Sequence, residues 1–197
     1  VLDVLIERKI KNSEIPLSSM LVGDRNAIMI WLRATGYGEM YSVKMTDPET
    51  FEEFETEIDL SNLGTKELKV QPDENNEFVF DLPRSKKKIK FRLLTVADET
   101  SITKKSEQRS KVTKSQISNA LTYRLQSQIM EIEGNRDPVY IQKFINVMPA
   151  FDSLKFREYS DEIEPGIELE VEVEGPSGPF RSYFTIGPNF FWPNARI

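Results

Sequence analysis

Carboxylates on alternate positions are the first residues in this chain that could do chemistry. Glu168, Glu170, Glu172 and Glu174 recur at every second residue, and so do Glu53, Glu55, Glu57 and Asp59. On an extended strand that spacing puts each set on one face, where oxygen ligands could hold a hard cation such as Ca²⁺ or Mg²⁺. The residues between them argue for a plainer reading. Ile167, Leu169, Val171 and Val173 interleave with the first set, and Phe54, Thr56, Ile58 and Leu60 with the second, which is how a strand reads when one face is buried and the other is in water. Neither run has the loop or the glycine of an EF-hand. No metal or other cofactor is expected, and no residue is assigned a catalytic role.

Cations cluster too. Arg84, Lys86, Lys87, Lys88 and Lys90 crowd an expected hairpin tip (84–90), and Lys104, Lys105, Arg109, Lys111 and Lys114 mark the start of an expected helix (104–114). Nucleic acid is one partner such clusters could serve. A net charge of −6, a pI near 5.0 and the lack of stacking aromatics within either run weigh against it and favour a solvated basic surface. A third reading joins the two kinds of cluster: acidic hairpins and a basic middle suit pairing with neighbouring subunits or with copies of this chain. Lys86, Lys87 and Lys88 are the candidate interface residues of that reading. Phe190, Phe191 and Trp192 are the others, since three adjacent large aromatics near a chain end cannot all face one side of a strand and must dock on their own domain or on a neighbour.

What is missing removes more chemistry than these clusters suggest. The 197 residues contain no histidine and no cysteine, so the commonest general base, the thiolate nucleophile, the soft metal ligands and any disulfide are gone. No G-x-S-x-G, phosphate-binding glycine loop or strand-linked G-x-G-x-x-G occurs. An enzyme is not expected, nor is a small-molecule substrate. No apolar run approaches a membrane span, and the opening Val1-Leu2-Asp3-Val4-Leu5-Ile6 is too short and too polar for a signal peptide.

The elements that must carry these residues follow from periodicity. Val1, Leu2, Leu5, Ile6 and Ile10 are expected close to one face of a short helix over 1–10. A second helix, capped by Asp24 and stopped by Gly36 and Gly38, is apolar almost all round and is expected to be buried. From Met40 the period changes to two. One hairpin turns at Asp47-Pro48-Glu49-Thr50, and another pairs Phe78, Phe80 and Leu82 with Ile89, Phe91 and Leu93 across the basic tip. The stretch from about Asp98 to Met130 reads as helix, with Ile117, Ala120, Leu121, Leu125 and Ile129 on its apolar side. Asp137-Pro138 and Pro149 open two more helices, the latter bearing Phe151, Leu154 and Phe156. A last hairpin turns through Gly175-Pro176-Ser177-Gly178. This order predicts an α+β fold with antiparallel hairpins near both ends and a central helical segment. It is expected to form one domain over 1–197, divisible into 1–96, a helical 97–160, and a C-terminal hairpin over 161–197 packing with the first sheet. The first and last hairpins are expected to share a sheet.

Several blocks carry a resemblance. Asp24-Arg25 leading into Ile30-Trp31-Leu32-Arg33-Ala34-Thr35-Gly36-Tyr37-Gly38-Glu39-Met40-Tyr41, the acidic strand from Phe54 to Leu60 with Ser61-Asn62-Leu63, the Phe78-to-Leu94 hairpin and the closing Ile186-Gly187-Pro188-Asn189-Phe190-Phe191-Trp192-Pro193 resemble the baseplate hub family of T4-like contractile-tailed bacteriophages. The resemblance implies a structural virion protein of the tail baseplate, present in the host cytoplasm during assembly and bound to other tail proteins. It leaves open a transient assembly chaperone. Proteins resembling this one often carry C-x-x-C knuckles, suggestive of a zinc ribbon, at the tips of the first and last hairpins. Here the tips keep no such ligand: Gly175-Pro176-Ser177-Gly178 reads either as a C-P-x-C turn with both cysteines replaced or simply as a good turn, and the hairpins are expected to be held by packing.

Overall fold

The structure is a computed structural model that describes residues 2–10, 14–113 and 119–191. In chain order its elements are α1 (Leu2–Lys9), α2 (Val22–Tyr37), β1 (Met40–Thr46), β2 (Glu53–Asp59), β3 (Thr65–Lys66), β4 (Phe78–Asp81), β5 (Lys88–Phe91), α3 (Val96–Thr113), α4 (Ala120–Gln128), β6 (Ile129–Ile132), α5 (Pro138–Val147), α6 (Ala150–Ile163), β7 (Gly166–Ile167), β8 (Glu170–Gly175), β9 (Gly178–Tyr183) and α7 (Pro188–Phe191). Helices and strands come in runs and every strand pair is antiparallel, so the fold is α+β as expected. The contacts divide it into two units. Unit 1 comprises 1–17, 23–66 and 165–197; unit 2 comprises 18–22 and 67–164.

Unit 1 is organised by the period-two pattern of its hairpins. In β1–β2, Tyr41 faces Ile58 and Met45 faces Phe54, while Lys44 faces Glu55 and Ser42 faces Glu57 on the other side. The apolar side joins Val173 of β8, Ile6 of α1, Met29 and Ile30 of α2, and Phe184, Phe190 and Phe191 in one core. The first and last hairpins do not share a sheet: each is a separate two-stranded sheet, and their inner faces meet through side chains such as Phe54 and Phe180, whose rings lie 6.0 Å apart edge to face. A short β3–β7 pair ties Thr65 to Ile167. There the backbone of Gly166 runs so close to Gly23 that a Cβ on Gly23 would stand 1.8 Å from the Pro165 carbonyl oxygen, which is why α2 carries glycine at that point.

The structure corrects the reading of α2. The helix begins at Val22, so Asp24 sits inside the first turn, favourable to the helix dipole but not a cap. Nor is it buried all round, since Trp31 is 63% exposed while Met29, Ile30 and Arg33 face inward. The aliphatic run is long enough to surround the helix, but unit 1 supplies a core on one side only.

Unit 2 is a three-stranded sheet, β4-β5-β6, covered by helices. The expected hairpin forms, with Phe78 opposite Phe91 and Phe80 opposite Ile89, while Leu82 and Leu93 lie outside its two strands. The third strand corrects the long central helix: α3 runs from Val96 to Thr113, α4 from Ala120 to Gln128, and Ile129–Ile132 is β6, pairing with β5. Leu125, Ile129 and Ile132 suit helical spacing as well as a short strand, and the open edge of β5 decides for the strand. Leu121 of the expected apolar side is exposed, and Ile117 lies outside the described residues. The start of α3 is a reciprocal cap, in which the Thr95 N–H donates to the Asp98 carboxylate at 2.9 Å and the Asp98 N–H to the Thr95 hydroxyl at 3.3 Å. Asp137 caps α5 ahead of Pro138 as expected, its carboxylate accepting from the Val139 N–H. On α6 only Phe156 of the three expected apolar residues is buried. Phe151 and Leu154 are exposed, and Asp152, Ser153 and Ser160 turn inward.

Candidate functional site

The two hairpin tips of unit 1 meet at a single carboxylate. Asp47, at the end of β1, is fully buried, and one of its oxygens accepts the N–H groups of Glu49 (2.9 Å) and Thr50 (3.0 Å) in its own turn. Its other oxygen accepts the Ser177 N–H at 2.9 Å, and the Ser177 hydroxyl donates to both oxygens at 2.8 and 2.7 Å. Burial works against ionisation here, but the donors from Thr50, Ser177 and Glu49 outweigh it and hold the carboxyl well below the ordinary aspartate range. Gly175 completes the joint: a Cβ there would stand 2.8 Å from an Asp47 oxygen and 2.6 Å from the Phe180 ring. The tips are therefore held by a buried polar clasp as well as by packing. The sequence signal was present in Asp47-Pro48-Glu49-Thr50, where an aspartate opening a proline turn bonds to amides two and three residues on; its reach to Ser177, far along the chain, left no local trace.

The basic tip of unit 2 is built on a second buried carboxylate. Asp152 on α6 accepts the backbone N–H groups of Arg84 (2.6 Å) and Ser85 (2.9 Å). Burial opposes its charge, and the donors from Arg84 and Ser85 still hold its carboxyl below the usual range. Lys86 adopts a left-handed conformation (φ 57°), its N–H donating to the Leu82 carbonyl, and the Lys88 N–H donates to the Glu133 carboxylate. The backbone is thus fixed from beneath while Lys86 and Lys88 are exposed and Lys87 lies half-buried with its Nζ 5.8 Å from the Phe144 ring. The expected lack of an aromatic near the lysines holds along the chain but not in space. The second basic run is on a different element: Lys104, Lys105 and Arg109 are exposed on α3, whereas Lys114 lies outside the described residues.

The aromatic end of the chain belongs to the core of unit 1. Phe190 is 1% and Phe191 5% exposed, so these two candidate interface residues are interior side chains, and Trp192 lies outside the described residues. Phe190 packs edge to face on Tyr41 at 4.8 Å, and its carbonyl accepts the Arg33 Nε–H at 2.9 Å. The Arg33 guanidinium also covers the Tyr37 ring at 4.8 Å. A short helix, α7, places both phenyl rings inward, which a strand could not do.

Of the carboxylate rows Glu53, Glu55, Glu57, Glu172 and Glu174 are exposed and Asp59, Glu168 and Glu170 half-buried, and among the described residues no group of three or more is placed to hold a metal ion. Among those residues, too, no helix is long and apolar enough to cross a membrane. Unit 2 also has a cleft of about 340 Å³ between α3, α4 and α6, lined by Ile102, Ala120, Leu121, Arg124, Arg157 and Asp161 above a buried Gln128–Ser160 hydrogen bond of 2.8 Å. Nothing in the sequence indicated it, because its walls come from three separate helices. A family model described as T4 bacteriophage base plate protein matches residues 1–178. No curated protein and no solved structure matches the chain.

Proposed function

The chain belongs to the family of T4 bacteriophage base plate proteins, and from that premise we propose that it is a structural component of the baseplate hub of a contractile phage tail. It acts through protein–protein contacts during tail assembly and carries out no chemistry of its own. The observation that carries this reading is the family match across nearly the whole chain, to residue 178 of 197. The basic tip supports it: a turn whose backbone is fixed by Asp152 and Glu133 loses little freedom when a partner binds, and it presents Lys86 and Lys88 to acidic neighbours. The test is whether the protein is found in purified mature particles at a fixed stoichiometry. Its presence during assembly and absence from finished particles would make it a transient assembly chaperone instead.

Nucleic-acid binding is the rival by class, favoured by the exposed Lys104 and Lys105 of α3 together with the tip. Replacing Lys86, Lys87 and Lys88 with glutamate should weaken association with tail proteins and leave DNA binding unchanged. Micromolar DNA binding that falls steeply with salt, and that this variant abolishes, would support the rival.

A further inference from the structure

The corner between α5 and α6 in unit 2 leaves apolar side chains in water. Val147, the last residue of α5, is 76% exposed, and Phe151 and Leu154 in the first turns of α6 are exposed as well. Single apolar residues on a surface need no explanation, but three so close along the chain form a patch of the kind that marks contact sites. Their own unit has no place for them. The inward positions of α6 are Asp152, Ser153, Phe156, Ser160 and Ile163, which leaves Phe151, Leu154, Lys155 and Glu158 as an outward ridge at helical spacing.

The basic tip is fastened to the same corner. Asp152, the neighbour of Phe151 in the chain, holds the Arg84 and Ser85 N–H groups at 2.6 and 2.9 Å, and the Lys87 Nζ lies 5.8 Å from the ring of Phe144, one turn before Val147 on α5. Not every cation there is free: Arg84 acts on the Asp152 charge, Lys155 pairs with Glu158 at 2.7 Å, and Lys88 faces Asp81 across the hairpin. Lys86, Lys87 and Lys143 have no ion-pair partner among the described residues, and neither 82–90 nor 138–151 contains an aspartate or glutamate. In a chain of net charge −6 this sets an apolar patch beside uncompensated positive charge. We propose that the α5–α6 corner and the basic tip together dock an acidic amphipathic helix of a neighbouring protein, its apolar stripe on Val147, Phe151 and Leu154 and its carboxylates toward Lys86, Lys87 and Lys143. A basic tip alone would take any anion, whereas an outward helical ridge is the surface that another helix packs on. This rests on the reading of the chain as a component that acts through protein contacts, and it gives that contact a partner chemistry.

Amide NMR of the isotope-labelled full chain tests it, with a synthetic helix carrying leucines on one face and glutamates beside them added to about 1 mM, the weak end of specific association. Shifts should gather at 84–88 and 143–155 and should weaken as salt rises. A counterpart peptide with lysine in place of glutamate should not bind, and one with serine in place of leucine should bind at least about tenfold more weakly. On the protein, Phe151→Ser combined with Leu154→Ser, and separately Lys143→Glu, should each weaken binding at least about tenfold. Lys143 is exposed, so that variant decides the matter even if the double serine variant loses stability. Lys105→Glu, at an exposed position on α3, should change nothing. No shift with the acidic helix, shifts centred on other residues, or unchanged binding by Lys143→Glu would each overturn the proposal. So would a DNA duplex that binds the same amides as tightly as the acidic helix, or shifts there on simple dilution of the chain, which would make the occupant a nucleic acid or a second copy. All of this is read on the purified chain, so its failure leaves the baseplate reading standing, and that reading fails separately on particle composition.

Discussion

Asp47 shows how much one buried carboxylate can organise. Four donors from two turns converge on it, so it fixes the first tip internally and fixes the last tip to the first. Asp47→Asn should lower the melting temperature more than Ser177→Ala, because the amide both loses the charge and turns a donor toward groups that themselves donate. Gly175→Ala should cost about 2 kcal/mol by overpacking, as the added methyl would push on Asp47 and Phe180 together. The acid limb of stability follows from the same chemistry. The folded-state pKa of Asp47 is depressed, so its contribution is fully present above the unfolded aspartate value of about 3.9 and is lost as pH falls through the folded value. Asp98 behaves alike: burial alone would raise it, but the Arg92 guanidinium, bonded at 2.6 and 2.7 Å, and the Thr95 donors bring it down to about 2. Stability should therefore fall between about pH 4 and pH 2 in an acid titration followed by circular dichroism, and Asp98→Asn should flatten part of that slope.

Among the elements, α6 is the least conventional, since its buried face carries Asp152, Ser153 and Ser160 as well as Phe156 and Ile163. Asp152 and Ser160 do specific work. Asp152 holds the basic tip through two backbone N–H groups, and Ser160 accepts from Gln128 at the last residue of α4, where the chain passes into β6. Asp152→Ala should leave the β4–β5 pairing in place but free the turn, so that hydrogen exchange at the Arg84 and Ser85 amides accelerates while exchange at Ile89 and Phe91 changes little. If the amides of the tip exchange as slowly as before, Asp152 is not its anchor. Much of this was hidden in the sequence because an aspartate near a helix start ordinarily reads as a favourable charge for the helix dipole.

For the whole molecule, the tail at 188–191 closes the core of unit 1. Phe190 touches Tyr41, Phe184 and Phe191, and its carbonyl satisfies the buried Arg33. Phe190→Ala should cost about 3–5 kcal/mol, and truncation before Asn189 should lower the melting temperature by roughly 10 °C or more. Unchanged melting after truncation would mean that the tail is not the anchor described here. The distribution of charge acts at the same scale. The acidic excess lies in unit 1 and the lysine-rich segments in unit 2, so contacts with neighbours should weaken as ionic strength rises.

The sequence by itself determined the elements whose signals are local. Alternation from Tyr41 to Leu60 and from Phe78 to Phe91 marked two hairpins, Asp137-Pro138 set the start of α5, and the missing histidine and cysteine set aside most chemistry. Only the tertiary structure decided the matters that depend on partners distant in the chain. Ile129–Ile132 is a strand because β5 has an open edge, and α2 leaves Trp31 in water because the core of unit 1 lies on its other side. Asp47 and Asp152 are anchors, not surface charges, because turns 130 and 68 residues away bring amides to them. Periodicity reports which face of an element prefers burial; where that face finds its partner, and which polar groups must then be satisfied inside, is fixed only when the chain is closed on itself.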